Sequence, residues 1–175
     1  MIAEKYINQV FDIENDNLFL PNQIFVNKEF DFLLTIGGNL TDNEIEYQKL
    51  MSVFKSLGET EFFVVKNSNK KNVFSCKIPT NSNFDFFQEV GKNYDNDFGW
   101  FLGDFFIFGK NNIWGIYMCE CPAINIIGCN KTISNKFRDV YDIKTNGYAE
   151  IKEFITSELI QPDLIKTFEN NYAIS

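Results

Sequence analysis

The sequence predicts an α+β fold: a single domain over residues 1–175, an antiparallel sheet of about five or more strands flanked by helices. Three observations lead there. Residues 98–128 hold three apolar runs separated by short polar or Gly/Pro breaks, the pattern of an antiparallel meander. Residues 61–66 and 73–78 are apolar runs around a polar, Lys-rich turn, the pattern of a hairpin. Stripes at helical spacing precede, separate and follow these runs in mixed order, not in strict βαβα alternation.

In chain order, Tyr6, Ile7 and Val10 sit at helical spacing and predict a short amphipathic helix over 3–11. Residues 12–17 are an acidic, Asn-containing loop, and a short strand is expected around Ile24 to Val26. Residues 30–36 read as a buried strand ended by Gly37-Gly38. In the next helix Thr41 is the expected cap, with Glu44 three residues on at capping-box spacing. Tyr47, Leu50, Met51, Phe54 and Leu57 form its apolar stripe, and Gly58 stands at the C′ position. The hairpin follows and is stopped by Pro79, and Phe84, Phe87 and Val90 suggest a short helix over 83–90. The first run of the meander is apolar on both alternating faces, which places it mid-sheet, covered on both sides. Three helices are expected after it. One starts at Thr132 or Ser134, one spans 148–160, and one begins at Pro162, which suits a first helical turn.

The chain is long enough to bury a core without disulfides. With 45% hydrophobic residues and 20 phenylalanines, aromatic packing should dominate that core. The net charge is −8 and Arg138 is the only arginine. Nucleic-acid binders need a cationic surface, so nucleic acid is not the expected partner, and a basic one is electrostatically favoured. No run approaches the ~20 apolar residues of a membrane span. The first residues lack a basic start followed by an apolar block, so a cytoplasmic location is expected, with Cys76, Cys119, Cys121 and Cys129 as free thiols.

Histidine is absent, which removes the usual general base and the commonest nitrogen metal ligand. Cys119-Glu-Cys121-Pro with Cys129 invites a zinc reading, but zinc thiolates come in pairs at wider spacing. Small residues packed near a strand end are the better reading, so no metal and no cofactor are expected. Asp95, Asp97, Asp104 and Glu120 could serve acid–base chemistry only if two faced each other across a cleft; solvated loop acids are the plainer reading. Asp104 follows Gly103 within an apolar run, and could cap a bend, bind a backbone amide or face outward at a bulge. Gly37-Gly38 lacks the further glycines or the Gly-Lys-Ser/Thr ending of phosphate loops and reads as a turn. Trp100, Trp114, Tyr94 and Tyr117 could stack on a ligand, though core packing is their default. Trp114, just after a turn, is the one expected to be partly exposed and available as an interface anchor.

The string Trp100-Phe-Leu-Gly-Asp104-Phe-Phe-Ile-Phe-Gly109, with Trp114-Gly-Ile-Tyr117 and Ile126-Ile-Gly128, resembles bacterial immunity proteins of contact-dependent growth inhibition and related polymorphic toxin systems. The Trp, the Gly-Asp and the apolar strand with its short turn are also similar to the SUKH superfamily of immunity proteins. The resemblance covers about thirty residues. It implies a non-catalytic cytoplasmic protein that binds one cognate toxin domain, commonly a basic nuclease, and covers its active site. Asp95, Asp97, Asp104, Trp114 and Glu120 edge the meander and are the expected contact residues. The competing readings are a small enzyme using carboxylate, Tyr or Lys chemistry, and a general protein–protein adaptor.

Overall fold

The structure, a computed structural model, describes residues 2–13, 20–37, 43–68, 71–94, 103–157 and 160–173. Within them lie six helices and six strands. In chain order these are α1 (Ile2–Val10), β1 (Asp31–Ile36), α2 (Glu44–Ser56), β2 (Glu61–Ser68), β3 (Lys71–Pro79), α3 (Phe84–Tyr94), β4 (Phe105–Phe108), β5 (Trp114–Cys119), β6 (Ile124–Cys129), α4 (Ser134–Tyr141), α5 (Tyr148–Ser157) and α6 (Pro162–Tyr172). The strands form one sheet in the order β1-β6-β5-β4-β2-β3, and every neighbouring pair is antiparallel. The expected α+β class and antiparallel sheet are what the chain forms.

The meander supplies β4, β5 and β6, all interior strands, and each of their residues is buried. This is why they read as continuous apolar runs: neither face meets water. Alternation along the strands feeds two cores. Leu34, Phe63, Val65, Phe106, Phe108, Tyr117 and Ile126 pack on one side with residues of α1, α5 and α6. Leu33, Phe62, Val64, Phe105, Ile107, Trp114, Ile116 and Ile127 pack on the other with residues of α2, α3 and α4. The phenylalanines join these layers. On the first side Phe11 lies 4.9 Å from Phe25 and 5.0 Å from Phe106, ring centre to ring centre. On the second, Phe54 stacks on Trp114 at 4.2 Å.

The free edge of β1 is not left open. Leu34 N–H donates to the carbonyl of Asn146 at 2.7 Å, so the segment leading into α5 covers it. An exposed ladder of unpaired amides would otherwise invite pairing with another chain. At the far edge, β3 carries the exposed Lys77 and ends at Pro79, two residues that discourage such pairing.

Several local expectations needed correction. The cap of α2 is Asn43: its side chain accepts the backbone N–H of Glu46 at 3.1 Å. The Asn43–Glu46 pair has the same three-residue spacing as the Thr41–Glu44 pair, shifted by two; Thr41 lies outside the described residues. Both pairs satisfy the sequence signal, and only the backbone's entry into the helix selects one. Asn43→Ala is expected to cost about 1 kcal/mol in urea unfolding, the usual value of a lost cap. The other end is as expected. Gly58 has φ +80°, its N–H donates to Lys55, and the Glu59 N–H reaches back to Phe54, which together make a Schellman motif.

Ile24 to Val26 form no strand, only a single bridge between Phe25 and Phe11. The hydroxyl of Tyr172 holds this segment instead, accepting the Ile24 N–H at 2.8 Å from the end of α6. The hairpin is longer than expected, and the helix expected over 148–160 is described as Tyr148–Ser157. Asp104 precedes β4 rather than interrupting it.

Candidate functional site

The five expected contact residues do not form one exposed surface. Trp114 is 0% exposed. Its indole is sandwiched in the second core, stacked on Phe54 and 6.0 Å from Phe137, so it offers nothing to a partner. A turn before a strand exposes the first residue only if that face is uncovered, and here α2 and α4 cover it. Asp95 and Asp97 lie outside the described residues, as do Trp100 and the first part of the first meander run.

Asp104 is mostly buried and already engaged. It accepts the Glu120 backbone N–H at 2.7 Å and the Tyr117 hydroxyl at 3.1 Å. Of the three roles open to it, binding a backbone amide is the one the structure shows. It ties the start of β4 to the turn that ends β5. Glu120, on that turn, is exposed.

Burial pushes the Asp104 carboxyl above the usual carboxylate range, against the opposing pull of the Glu120 amide and the Tyr117 hydroxyl. A carboxyl raised in the folded state favours folding below its unfolded pKa, and this contribution is lost as pH rises through the folded value. Asp104→Asn removes the titration but keeps an acceptor. The stability advantage of wild type over this variant should therefore grow as pH falls from neutrality toward the ordinary aspartate range. Paired urea titrations across that interval would show it, and a flat difference would contradict it.

Two of the four thiols, Cys76 and Cys129, are held far from the thiolate form. Cys119 and Cys129 lie on opposite faces of the sheet, one in each core, and Cys121 is exposed on the turn between β5 and β6. Burial pushes the Cys76 and Cys129 thiols up to about 12, far from the thiolate a nucleophile or metal ligand requires. Among the described residues no group of three or more Cys, Asp or Glu could hold a metal ion. Among them, too, no helix is long and apolar enough to cross a membrane.

Two features escaped sequence reasoning. Asn125, in the middle of the sheet between Thr35 and Met118, is 1% exposed, and neither its amide oxygen nor its amide nitrogen has a hydrogen-bond partner. An Asn in an apolar run is the only sequence signal for it. The second is a cleft of about 290 Å³ between the first turn of α2 and the last turn of α4. Asn43, Ile45, Glu46, Lys49, Val140, Tyr141 and Asp142 line it. Glu46 is 7% exposed, whereas Ile45 beside it is 70% exposed. The Tyr141 hydroxyl is buried with no hydrogen-bond partner. Burial, and then the negative charge of Glu46, hold the Tyr141 hydroxyl well above its ordinary pKa, so it stays a neutral phenol. The neighbouring clefts run along the same helices, over Gln48, Ser52, Ser56 and Lys136.

The molecule is thus an antiparallel α+β domain with both sheet faces filled, whose described clefts lie on its outer helical surface and at turns. No family model, curated protein or solved structure matches the chain.

Proposed function

We propose that the chain is an immunity protein: a cytoplasmic partner that binds a cognate toxin domain, a basic nuclease, and neutralises it by covering its active site. The observation that carries this reading is the net charge of −8, with a single arginine, on a domain whose sheet faces are both packed. A chain with filled layers meets other molecules with its outer surface, and here that surface is acidic. Opposite charge would guide it to a groove built to hold phosphates. The resemblance of the meander to immunity proteins points the same way.

The decisive experiment mixes the purified chain with the product of the neighbouring gene, assayed as a toxin. A stable complex and loss of toxin activity are expected. No complex, or a complex with full toxin activity, would sink the reading. Within that complex, Glu120→Lys, alone and combined with Asp95→Lys and Asp97→Lys, should slow association several-fold at low salt. It should also flatten the salt dependence in stopped-flow measurements.

A further inference from the structure

We propose that Asn146 and Gly147 form a self-modification site: the Asn146 side-chain amide is lost to water, at a rate set by detachment of the last turn of α6, and the product unties both α6 and the cover of the β1 edge. Asn146 is the only asparagine in the chain followed by glycine. With no Cβ on the following residue, the backbone nitrogen of Gly147 is unshielded and can reach the amide carbon. The fold requires both residues. Gly147 has φ +81°, and a Cβ there would stand 1.9 Å from the Leu34 carbonyl oxygen. Asn146, itself buried, serves three partners at once. Its Oδ1 accepts the Tyr148 N–H at the start of α5 at 3.1 Å, and its Nδ2 donates to the Tyr172 carbonyl at 3.0 Å. Its backbone carbonyl accepts the Leu34 N–H of β1 at 2.7 Å. Aspartate would keep the acceptor for Tyr148, but an ionised carboxylate offers Tyr172 no donor. The packing thus holds in place the dipeptide most open to this reaction.

The chemistry needs only water. The Gly147 nitrogen gives its proton to solvent and bonds to Cγ of Asn146. The Cγ–Nδ2 bond breaks and Nδ2 departs as ammonia, leaving a cyclic imide. Water then opens the ring at either carbonyl. Opening at Cγ gives aspartate. Opening at the backbone carbonyl gives isoaspartate, in which the chain runs through the side chain and the former backbone carbonyl becomes a free carboxylate. In the native fold each reacting group is held. The Gly147 N–H donates to the Lys144 carbonyl at 3.1 Å, and Oδ1 and Nδ2 have the partners just described. Of these holds, the Tyr172 carbonyl alone comes from a distant helix. Phe168 and Tyr172 are the buried residues of α6, so little apolar surface opposes its local opening. What ties its last turn is polar: the Tyr172 hydroxyl meets the Ile24 N–H and the Asn22 carbonyl, and the Asn171 amide donates to the Asn22 side chain at 2.9 Å. Once residue 146 is a carboxylate it faces the Tyr172 carbonyl with no proton to share, and α6 stays loose. The isoaspartate form also displaces the acceptor of the Leu34 N–H, which bares the edge of β1.

Neither the site nor its test involves a toxin. The full chain is held in neutral buffer, with and without urea, and the tryptic peptide Thr145 to Lys152 is followed by mass spectrometry. Loss of the Asn146 amide is expected ahead of that of any other asparagine, about ten- to a hundredfold more slowly in the folded chain than in urea. Tyr172→Phe, which releases the hydroxyl ties to Asn22 and Ile24, should speed the reaction several-fold in the folded chain and leave the rate in urea unchanged. Asn171→Ala should act in the same direction, and keeps the test open should Tyr172→Phe fail to fold. In hydrogen exchange, Asn146→Asp should speed exchange at residues 168–172 about tenfold and spare the Leu34 amide, whereas the purified isoaspartate form should speed both. Equal rates with and without urea overturn the proposal. So does a folded chain that stays unconverted a hundredfold longer than the unfolded one, on the order of the slowest opening expected here. Rates that neither α6 variant changes, or α6 exchange as slow in Asn146→Asp as in wild type, overturn it too.

Discussion

Trp114→Ala should cost about 3–5 kcal/mol of folding stability, the range for emptying a large buried aromatic site. The indole is fully buried at the start of an interior strand, stacked on Phe54 of α2 and close to Phe137 of α4. Removing it unseats two helices from the sheet at once. The site has little means of collapse, because Gly109 below it is crowded by the Glu59 carboxylate, which itself accepts the Lys110 N–H at 3.2 Å. Trp114→Phe should be far milder. It keeps a ring against Phe54 and deletes an indole N–H that is buried with no hydrogen-bond partner. Urea unfolding would show a large fall in midpoint for the alanine variant with the slope preserved. A loss below about 1 kcal/mol would mean that the stacked geometry is not what holds α2 in place. Lost partner binding in Trp114→Ala would then report on folding, not on contact.

Gly128→Ala should destabilise by about 1–3 kcal/mol, although alanine is a small residue and the backbone there is ordinary strand. Gly115 and Gly128 face each other across β5 and β6 and point to the same side of the sheet. Together they leave a flat floor on which Phe11 and Phe25 lie. A Cβ at Gly128 would stand 2.6 Å from Cε1 of Phe25, and one at Gly115 would stand 2.6 Å from Cζ of Phe11 and from Cγ1 of Val10. Neither ring can retreat easily. Phe11 is held between Phe25, Phe106 and Phe108, and Phe25 is held also by Phe32 at 5.4 Å. The contact can be isolated by a double-mutant cycle with Phe25→Leu, whose slimmer side chain should recover part of the loss. Strict additivity of the two changes would show that the clash is relieved elsewhere.

Much of the fold could be read one short window at a time. The doubly apolar run 105–108 announced an interior strand because a strand covered on both faces has no polar phase. Gly58 marked the end of α2 because a left-handed residue is needed there, and Pro162 marked the start of α6 for an equally local reason. The candidate site was not legible in this way. Trp114 follows a turn, which suggested exposure, yet two helices distant in sequence close over it. Asp104 could cap a bend, bind a backbone amide or face outward, and the choice was not legible, because its partners Tyr117 and Glu120 arrive only when β4 and β5 pair. Glu46 and Tyr141 carried no signal at all, being ordinary members of two amphipathic helices.

From sequence alone came the periods, the breaks and the charge: most of the strands and helices, though not the single bridge that stands where a strand was expected around Ile24 to Val26, and that the whole is acidic. Local backbone preference and side-chain spacing decide these, and both act within a few residues. Tertiary structure alone decided that Trp114 is hidden, which glycines make a bed for aromatic rings, and that α2 and α4 frame a cleft. Those outcomes depend on which helix lies over which face of the sheet. That choice is settled by the summed burial of side chains far apart in the chain, and no single stretch of residues records it.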